Sequence, residues 1–457
     1  MNSASSRQLE LADVIQEVPQ LLSLLPSDSK GSLLSTNTAL RKHVHKYTTA
    51  IRVAGSLDVG LLLKGSWPRL DSLHLASGAL DARALTLLTQ RSWPTLTSLS
   101  LSANELDAAS VAKLITGDWP LLSKLDLSHN KLDHKAVQEL IKADWSLNSL
   151  DLSANNLDIL AISHLAEAPW QKLEDLDLGC NKLNAESIGK LVKGQLSGLK
   201  SLTLNDDLDI PAIQQVVMGA WTDLTSLQLS SPRRRLTPSA ISVLTQANWK
   251  SLEKLHLPNN NLDEASVTKM LQGDWSNMTD INFSRNRLDA KAINSLVKAD
   301  WPLLKGLDLG HNNLNADAIK YLVKGDWGSL IRLNLSGNNL GLTAMEHLAK
   351  ANWPMLEKLS LNKNKLGAVS IKKLLRVEED DNVFPYLKSI YLQRNLLDAY
   401  VFKQFGKCHL LHLKRIDLAY NDIDTNSEVF LTWFGVSDKP LQVGTNWLEH
   451  PTEFLGG

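Results

Sequence analysis

Tryptophan returns along this chain at a fixed interval. Trp67, Trp93, Trp119 and Trp145 stand 26 residues apart, and after small slips Trp249, Trp275, Trp301, Trp327 and Trp353 do so again. A period of this length, closed each time by one large side chain, marks a stacked repeat whose units cannot bury their apolar faces alone. A chain of 457 residues would ordinarily suggest about three globular domains. The repeat replaces that expectation with one extended array, in which function belongs to a long surface rather than a single pocket.

One clean period runs Leu122 to Leu132 with the pattern LxxLxLxxNxL. Fourteen copies begin at Leu70, Leu96, Leu122, Leu147, Leu173, Leu199, Leu224, Leu252, Met278, Leu304, Leu330, Leu356, Leu387 and Leu413. The alternation Leu125-Asp126-Leu127 puts both leucines on one face of a short strand. An asparagine follows at a constant offset (Asn104, Asn130, Asn155, Asn181, Asn260, Asn286, Asn312, Asn338, Asn364, Asn395, Asn421). An amide both donates and accepts, so it can satisfy backbone groups where the chain turns inside the stack. Asp107, Asp133, Asn184, Asp263, Asp289 and Asn315 then occupy an N-cap slot ahead of a helical pattern such as Ala109-Val111-Leu114-Ile115. Gly117, Gly273 and Gly325 fit a helix C-terminal stop, and Trp-Pro pairs start the return loop.

This pattern resembles the leucine-rich repeat family, of the ribonuclease-inhibitor type with repeats of about 26 residues, from about Leu57 to Ile423. The resemblance implies an α/β solenoid, a horseshoe with a parallel β-sheet on the concave face and α-helices on the convex face. It also implies that the asparagines form a structural ladder. We divide the chain into a helical N-terminal segment (1–56), a solenoid of fourteen repeats (57–424) and a C-terminal cap (425–457) carrying Phe430, Trp433, Phe434 and Trp447. Each Trp buries about 150–250 Å², worth on the order of 4–6 kcal/mol at about 25 cal/mol/Å². We expect these rings to be wedges between loops; the alternative is an exposed aromatic stripe.

The formal net charge is −1, which argues against nucleic acid as the main partner, and no run of about 18 apolar residues suggests a membrane span. The polar N-terminus does not read as a secretory signal. The two cysteines, Cys180 and Cys408, form no disulfide framework, so a reducing compartment is expected: the cytoplasm, with the nucleus as the alternative. The chain shows none of the phosphate-loop, HExxH, GxSxG or CxxC motifs, so we expect a non-enzyme without cofactor or metal. His409 and His412 could share a helix face, but no further metal ligands follow.

Candidate binding residues come from the strand alternation and from the irregular repeats. Asp126, Asp151, Asp175 and Asp177 fall on three successive strands and make an acidic patch, read either as a binding surface or as the repeat's consensus filler. Lys358, Lys363, Arg394 and Arg415, with Tyr391 and Tyr420, make the C-terminal end basic and aromatic, the better location for a protein hot spot. Leu196 replaces a Trp, the following repeat is one residue short, and the next carries an insertion with Arg233, Arg234 and Arg235. We take that insertion as a solvated rim loop; an anion-binding role is the alternative.

Residues 11–45 carry Leu-Leu-Ser-Leu-Leu-Pro26, then Asp28, Leu33, Leu34 and Leu40-Arg41-Lys42. This resembles an F-box, although no Leu-Pro opens it and Leu40 stands where a Trp is usual. A plain helical cap is our preferred reading. The resemblance would imply a Skp1-type partner and a substrate receptor of a ubiquitin ligase. The main expectation is a protein-interaction scaffold, and a second alternative is a GTPase-activating protein using rim arginines.

Overall fold

The computed structural model describes residues 49–54, 67–78, 80–231, 236–377, 383–407, 410–423 and 442–444. The chain packs as two units: Met1–Asp206 with Met218–Leu224, and Asp207–Val217 with Thr225–Gly457. The first holds strands β1 (Ala50–Ala54), β2 (Ser72–Ala76), β3 (Ser98–Ser100), β4 (Lys124–Asp126), β5 (Ser149–Asp151), β6 (Asp175–Asp177) and β7 (Ser201–Leu204). The second holds β8 (Ser226–Leu229), β9 (Lys254–His256), β10 (Asp280–Asn282), β11 (Gly306–Asp308), β12 (Arg332–Asn334), β13 (Lys358–Ser360), β14 (Ser389–Tyr391), β15 (Arg415–Asp417) and β16 (Gln442–Gly444).

Within each unit every strand pairs in parallel with its sequence neighbours. The register advances one repeat at a time, as in Lys124 opposite Ser149 and Ser149 opposite Asp175. The fourteen sequence repeats supply β2 to β15. Strands β1 and β16 add one strand at either end, in stretches that the sequence alone suggested were caps. Each described helix has seven or eight residues, as in Ala108–Leu114 and Ile159–Ala166. Such helices are too short to persist alone and depend on burying one face. Val111 and Leu114 are buried on the first, Ala161, Ile162, Leu165 and Ala166 on the second.

The helix starts follow the sequence. Asp107 accepts from the Ser110 N–H, Asp133 from Ala136 and Asn315 from Ala318, and each such cap is worth about 1 kcal/mol. The asparagine ladder also forms. Asn130 Nδ2 donates to the Leu101 and Leu127 carbonyls, while its Oδ1 accepts from the Asn104 and Leu106 N–H groups. The strand leucines beneath it, Leu125 and Leu127, are buried.

The tryptophans are interior, not a stripe. Trp119, Trp170, Trp221, Trp275, Trp327 and Trp353 are all buried, and Trp145, whose return loop is one residue shorter, is half-buried. The indole does more than fill space. Trp119 Nε1 donates to the Leu114 carbonyl at 3.1 Å, Trp275 to Met270 at 2.6 Å and Trp327 to Leu322 at 2.8 Å. Each of these carbonyls, at the end of a helix, also accepts from the N–H of the glycine three residues on, so the indole is a second donor to it.

Here the expectation for Gly117, Gly273 and Gly325 needs correction. None of them has the left-handed φ of a C-terminal stop. A Cβ at any of the three would overlap the indole two residues on. Glycine leaves room there for the ring, although the bond does not require it: Arg91 fills the slot before Trp93, whose Nε1 still donates to the Leu88 carbonyl at 3.0 Å. Alanine fills it at Ala168, Ala247 and Ala351, and the Nε1 groups of Trp170, Trp249 and Trp353 are buried without a hydrogen-bond partner.

Candidate interaction surface

Parallel registration turns a repeated strand position into a row. Asp126 lies opposite Asp151, and Asp151 opposite Asp177. Adjacent strands sit about 4.8 Å apart, so three carboxylates stand side by side. Each uses Oδ1 locally: Asp126 accepts from the Ser128 N–H at 2.9 Å, Asp151 from Ser153 at 2.8 Å and Asp177 from Gly179 at 2.8 Å. The bond to the N–H two residues on closes the turn after the strand. Asp308 and Asp417 do the same, as do Asn282 and Asn334 with their amide oxygens. The aspartate is therefore a structural member of the repeat, and what is particular to this end is that three fall in succession. Asp175 lies one residue pair away on the same strand, exposed, and accepts from Ser149 Oγ at 3.2 Å.

That succession has an electrostatic consequence. Burial, only partly offset by the Gly179 N–H, and then the charges of Asp151, Asp175 and Asp206 push the Asp177 carboxyl up to about 7. Burial also raises Asp151. Asp206 belongs to the same neighbourhood for a reason absent from the consensus. It is buried where the ladder amide would be, and accepts from the Asn181 N–H at 3.3 Å and the Lys182 N–H at 2.7 Å. The repeat that seemed to lack a ladder residue carries an aspartate in that place.

In the second unit, Arg415 lies over the Tyr391 ring at 5.5 Å and Arg394 over the Tyr420 ring at 4.7 Å. Tyr391 and Asp417 are register partners on β14 and β15, and Asp417 Oδ2 accepts from Gln393 Nε2 at 2.6 Å. Lys358 is a register partner of Ser389 on β14, whose other neighbour is Arg415. The structure thus gathers Lys358, Tyr391, Arg394, Arg415 and Tyr420 at one end of the sheet face. Arg233, Arg234 and Arg235 lie outside the described residues, as do residues 11–45.

Two arrangements were not anticipated from sequence. Asp280 on β10 is bonded on one side by His256 Nε2 at 3.0 Å and on the other by Arg332 Nη2 at 2.8 Å, two strands away on β12. The intervening register position is Gly306, where a Cβ would overlap Asp280 Oδ2. Burial works to raise the Asp280 carboxyl, and the bonds from His256 and Arg332 outweigh it, so its pKa lies below the ordinary value.

The other arrangement is a row of left-handed residues, one in most repeats, just before the ladder position; in several repeats a second follows it, as at Glu105, Lys182 and Lys365. In the first unit the row includes Ser77, Ala103, His129, Ala154 and Cys180. In the second it runs Asn259, Arg285, His311, Gly337, Lys363, Arg394 and Tyr420. The slot was visible in the sequence as the residue preceding each asparagine; its handedness was not.

Among the described residues no helix is long and apolar enough to cross a membrane, and no group of three His, Cys, Asp or Glu could hold a metal ion. No family model matches the chain, and no curated protein matches it. Solved structures similar to it include the yeast Rad7–Elc1 complex, at 16% identity, covering 96% of this chain and 94% of that one with a TM-score of 0.48. An internalin from Listeria monocytogenes is similar at 17% identity over 92% of this chain and 93% of the other, TM-score 0.38. A leucine-rich-repeat protein from Leptospira interrogans is similar at 19% identity over 89% and 92%, TM-score 0.40.

Proposed function

We propose that this leucine-rich-repeat protein is a non-enzymatic scaffold that binds a partner protein through its open sheet face, with the main contact on β13 to β15. The observation that carries this reading is the pair of arginine–tyrosine stacks, Arg415 on Tyr391 and Arg394 on Tyr420. Tyr420 is 57% exposed. Tyr and Arg are the residue types that carry most binding energy in protein interfaces, and stacking holds the flexible guanidinium in one place before a partner arrives. The full chain with Tyr391→Ala and Arg415→Ala is the test, used as bait beside the unaltered chain and a Lys291→Ala control. Loss of the same co-purifying protein from the double variant alone is expected. Retention of that protein by the double variant rejects this face as the interface.

The F-box resemblance of residues 11–45 supports a narrower version, in which that segment holds a Skp1-type protein and the repeats read a substrate. A Skp1-type protein captured by the full chain, but not by a chain starting near Ser56, is the expected result. No capture by the full chain rejects it. The GTPase-activating alternative predicts that alanine at Arg233, Arg234 and Arg235 abolishes stimulated hydrolysis; an unchanged rate removes those residues.

A further inference from the structure

In the left-handed row of the second unit, Arg285, His311, Lys363 and Arg394 occupy a backbone conformation that favours Gly, Asn and Asp over long side chains. The row's backbone is pinned. The Arg285 N–H donates to the Gly310 carbonyl, His311 to Ser336, Lys363 to Gln393 and Arg394 to Ala419, so each side chain leaves the sheet edge at a fixed place. Successive places are about one strand spacing, ~4.8 Å, apart. Arg285, Lys363 and Arg394 are exposed, and Arg285 and Lys363 make no ion pair among the described residues. The imidazole of His311 lies against Gly337, where a Cβ would meet it. Burial first, then Arg285 and Lys363, hold the His311 pKa below its ordinary value, so the cations share one field. Lys363 and Arg394 stand on neighbouring strand ends, where like charges cost stability unless something offsets them, and no carboxylate occupies this row.

We infer that the row Arg285–His311–Lys363–Arg394, closed by Tyr420, is a docking rail for an extended acidic segment of a partner protein. This rests on the scaffold reading and adds the chemistry of the partner. An extended peptide running across the strand ends places carboxylates on Arg285, Lys363 and Arg394, and its chain lies against the flat Gly337 step. A nucleic acid strand is disfavoured by the charge of the chain, formally −1, which gives none of the strong basic balance that a phosphate backbone draws on.

The experiment uses the full chain and three fluorescent probes of equal length: an octa-glutamate peptide, an octa-lysine peptide and a single-stranded RNA. The variant is Arg285→Asn with Lys363→Asn and Arg394→Asn, because asparagine suits the left-handed backbone. The expected result is octa-glutamate binding that weakens at least tenfold in the variant and falls steeply with salt. The variant's melting temperature should be equal to or higher than that of the unaltered chain. That combination separates a binding row from a structural one, whose loss would lower the melting temperature. Octa-glutamate affinity within twofold in the variant overturns the rail, and so does tighter binding of the RNA than of octa-glutamate. The Tyr391 and Arg415 variant keeps the rail intact. A partner lost there with octa-glutamate binding retained separates failure of the rail from failure of the sheet-face reading.

Discussion

The two units use one repeat, yet they distribute charge in opposite ways. In the first, the strand-end slot holds aspartate on three successive strands, and the left-handed slot beside it is mostly small: Ala103, Ala154 and Cys180. In the second, the strand-end slot is mixed (His256, Asn282, Asp308, Asn334, Ser360, Tyr391 and Asp417), with no two carboxylates in succession, and the left-handed slot carries Arg285, His311, Lys363 and Arg394. The buried apolar strand positions and most of the ladder asparagines and helix caps recur in both units. The charge differences lie at the strand-end and left-handed slots, and those are the positions where the proposed partner contacts would be set. In a solenoid the consensus carries stability between neighbouring repeats, and the departures from it are the places to test for recognition.

The strongest way to break this contrast is through the ladder itself. Asn338 in the second unit donates to the Leu309, Leu335 and Ser336 carbonyls and accepts from the Asn312 and Leu314 N–H groups. Asn338→Asp turns the donating end toward three carbonyls as an oxygen, in a fully buried place. A loss of about 3 kcal/mol or more is expected from the stranded buried groups, measured by denaturant unfolding. Asp206→Asn in the first unit should cost less, about 1 kcal/mol: Asp206 accepts from the Asn181 N–H through Oδ2 and from the Lys182 N–H through Oδ1, and an amide keeps one of those two acceptors. If Asn338→Asp is tolerated as well, the aspartate at 206 reflects general tolerance of the ladder and not a local feature of the first unit.

Next in size is Gly306→Ala. The added methyl blocks the path between Asp280 and Arg332, and a loss of about 1–2 kcal/mol is expected. Arg332→Gln should lose part of the same energy, and the two changes together should cost less than their sum. Additive losses would show that the bridge across β11 is not one interaction.

These two tests also mark what was legible in the sequence. Leu125, Leu127, Asn130 and Asp107 each do what their spacing foretold, because a strand's alternation, a ladder amide and an N-cap are local requirements that recur at every copy. Repetition turned a weak single signal into a firm one. The glycines at 117, 273 and 325 were misread because a glycine after a helix usually signals a left-handed stop, and the competing need, room for an indole two residues on, depends on how the ring folds back, which appears only with the backbone geometry. The Asp280–Arg332 bridge spans two repeats and leaves no pattern within either. For the acidic patch, sequence placed Asp126, Asp151, Asp175 and Asp177 together, but the turn-closing bond from each strand-end carboxylate appears only with the backbone geometry.

The aspartate row yields a prediction in pH. The Asp177 carboxyl is raised to about 7, above its unfolded value near 4, so the folded chain holds this proton more tightly than the unfolded chain does. Its contribution to stability is complete below pH ~4 and is lost as pH rises through about 7. Asp177→Asn, which keeps an acceptor for the Gly179 N–H, should remove that decline, so the variant gains on the unaltered chain between pH 4 and 7. Parallel stability curves for the two proteins across that window would mean that the row does not strain the first unit. A cationic partner bound over the row should lower the same midpoint, since a neighbouring positive charge favours the ionised carboxylate.

The smallest effect bears most directly on the contrast between the units. If the left-handed slot and the strand-end row share one field, a cation moved into the first unit's slot should act on its aspartates. His129 in that slot already favours the ionised form of Asp151. Cys180, exposed and left-handed at φ 60, is the corresponding position beside Asp177; its thiol is raised by burial first, then by the charges of Asp206 and Asp177. Cys180→Lys should therefore lower the Asp177 midpoint by a fraction of a pH unit, followed by carboxyl carbon NMR, with stability at pH 7 changed by no more than about 0.5 kcal/mol. The lysine makes the first unit's edge resemble the second's, so octa-glutamate, which the second unit's rail is expected to hold, should gain little from one added cation. An Asp177 midpoint that does not move would show the two rows to be electrically separate. In that case the opposite charge patterns of the two units would be independent choices at independent positions, and not one field arranged in two ways.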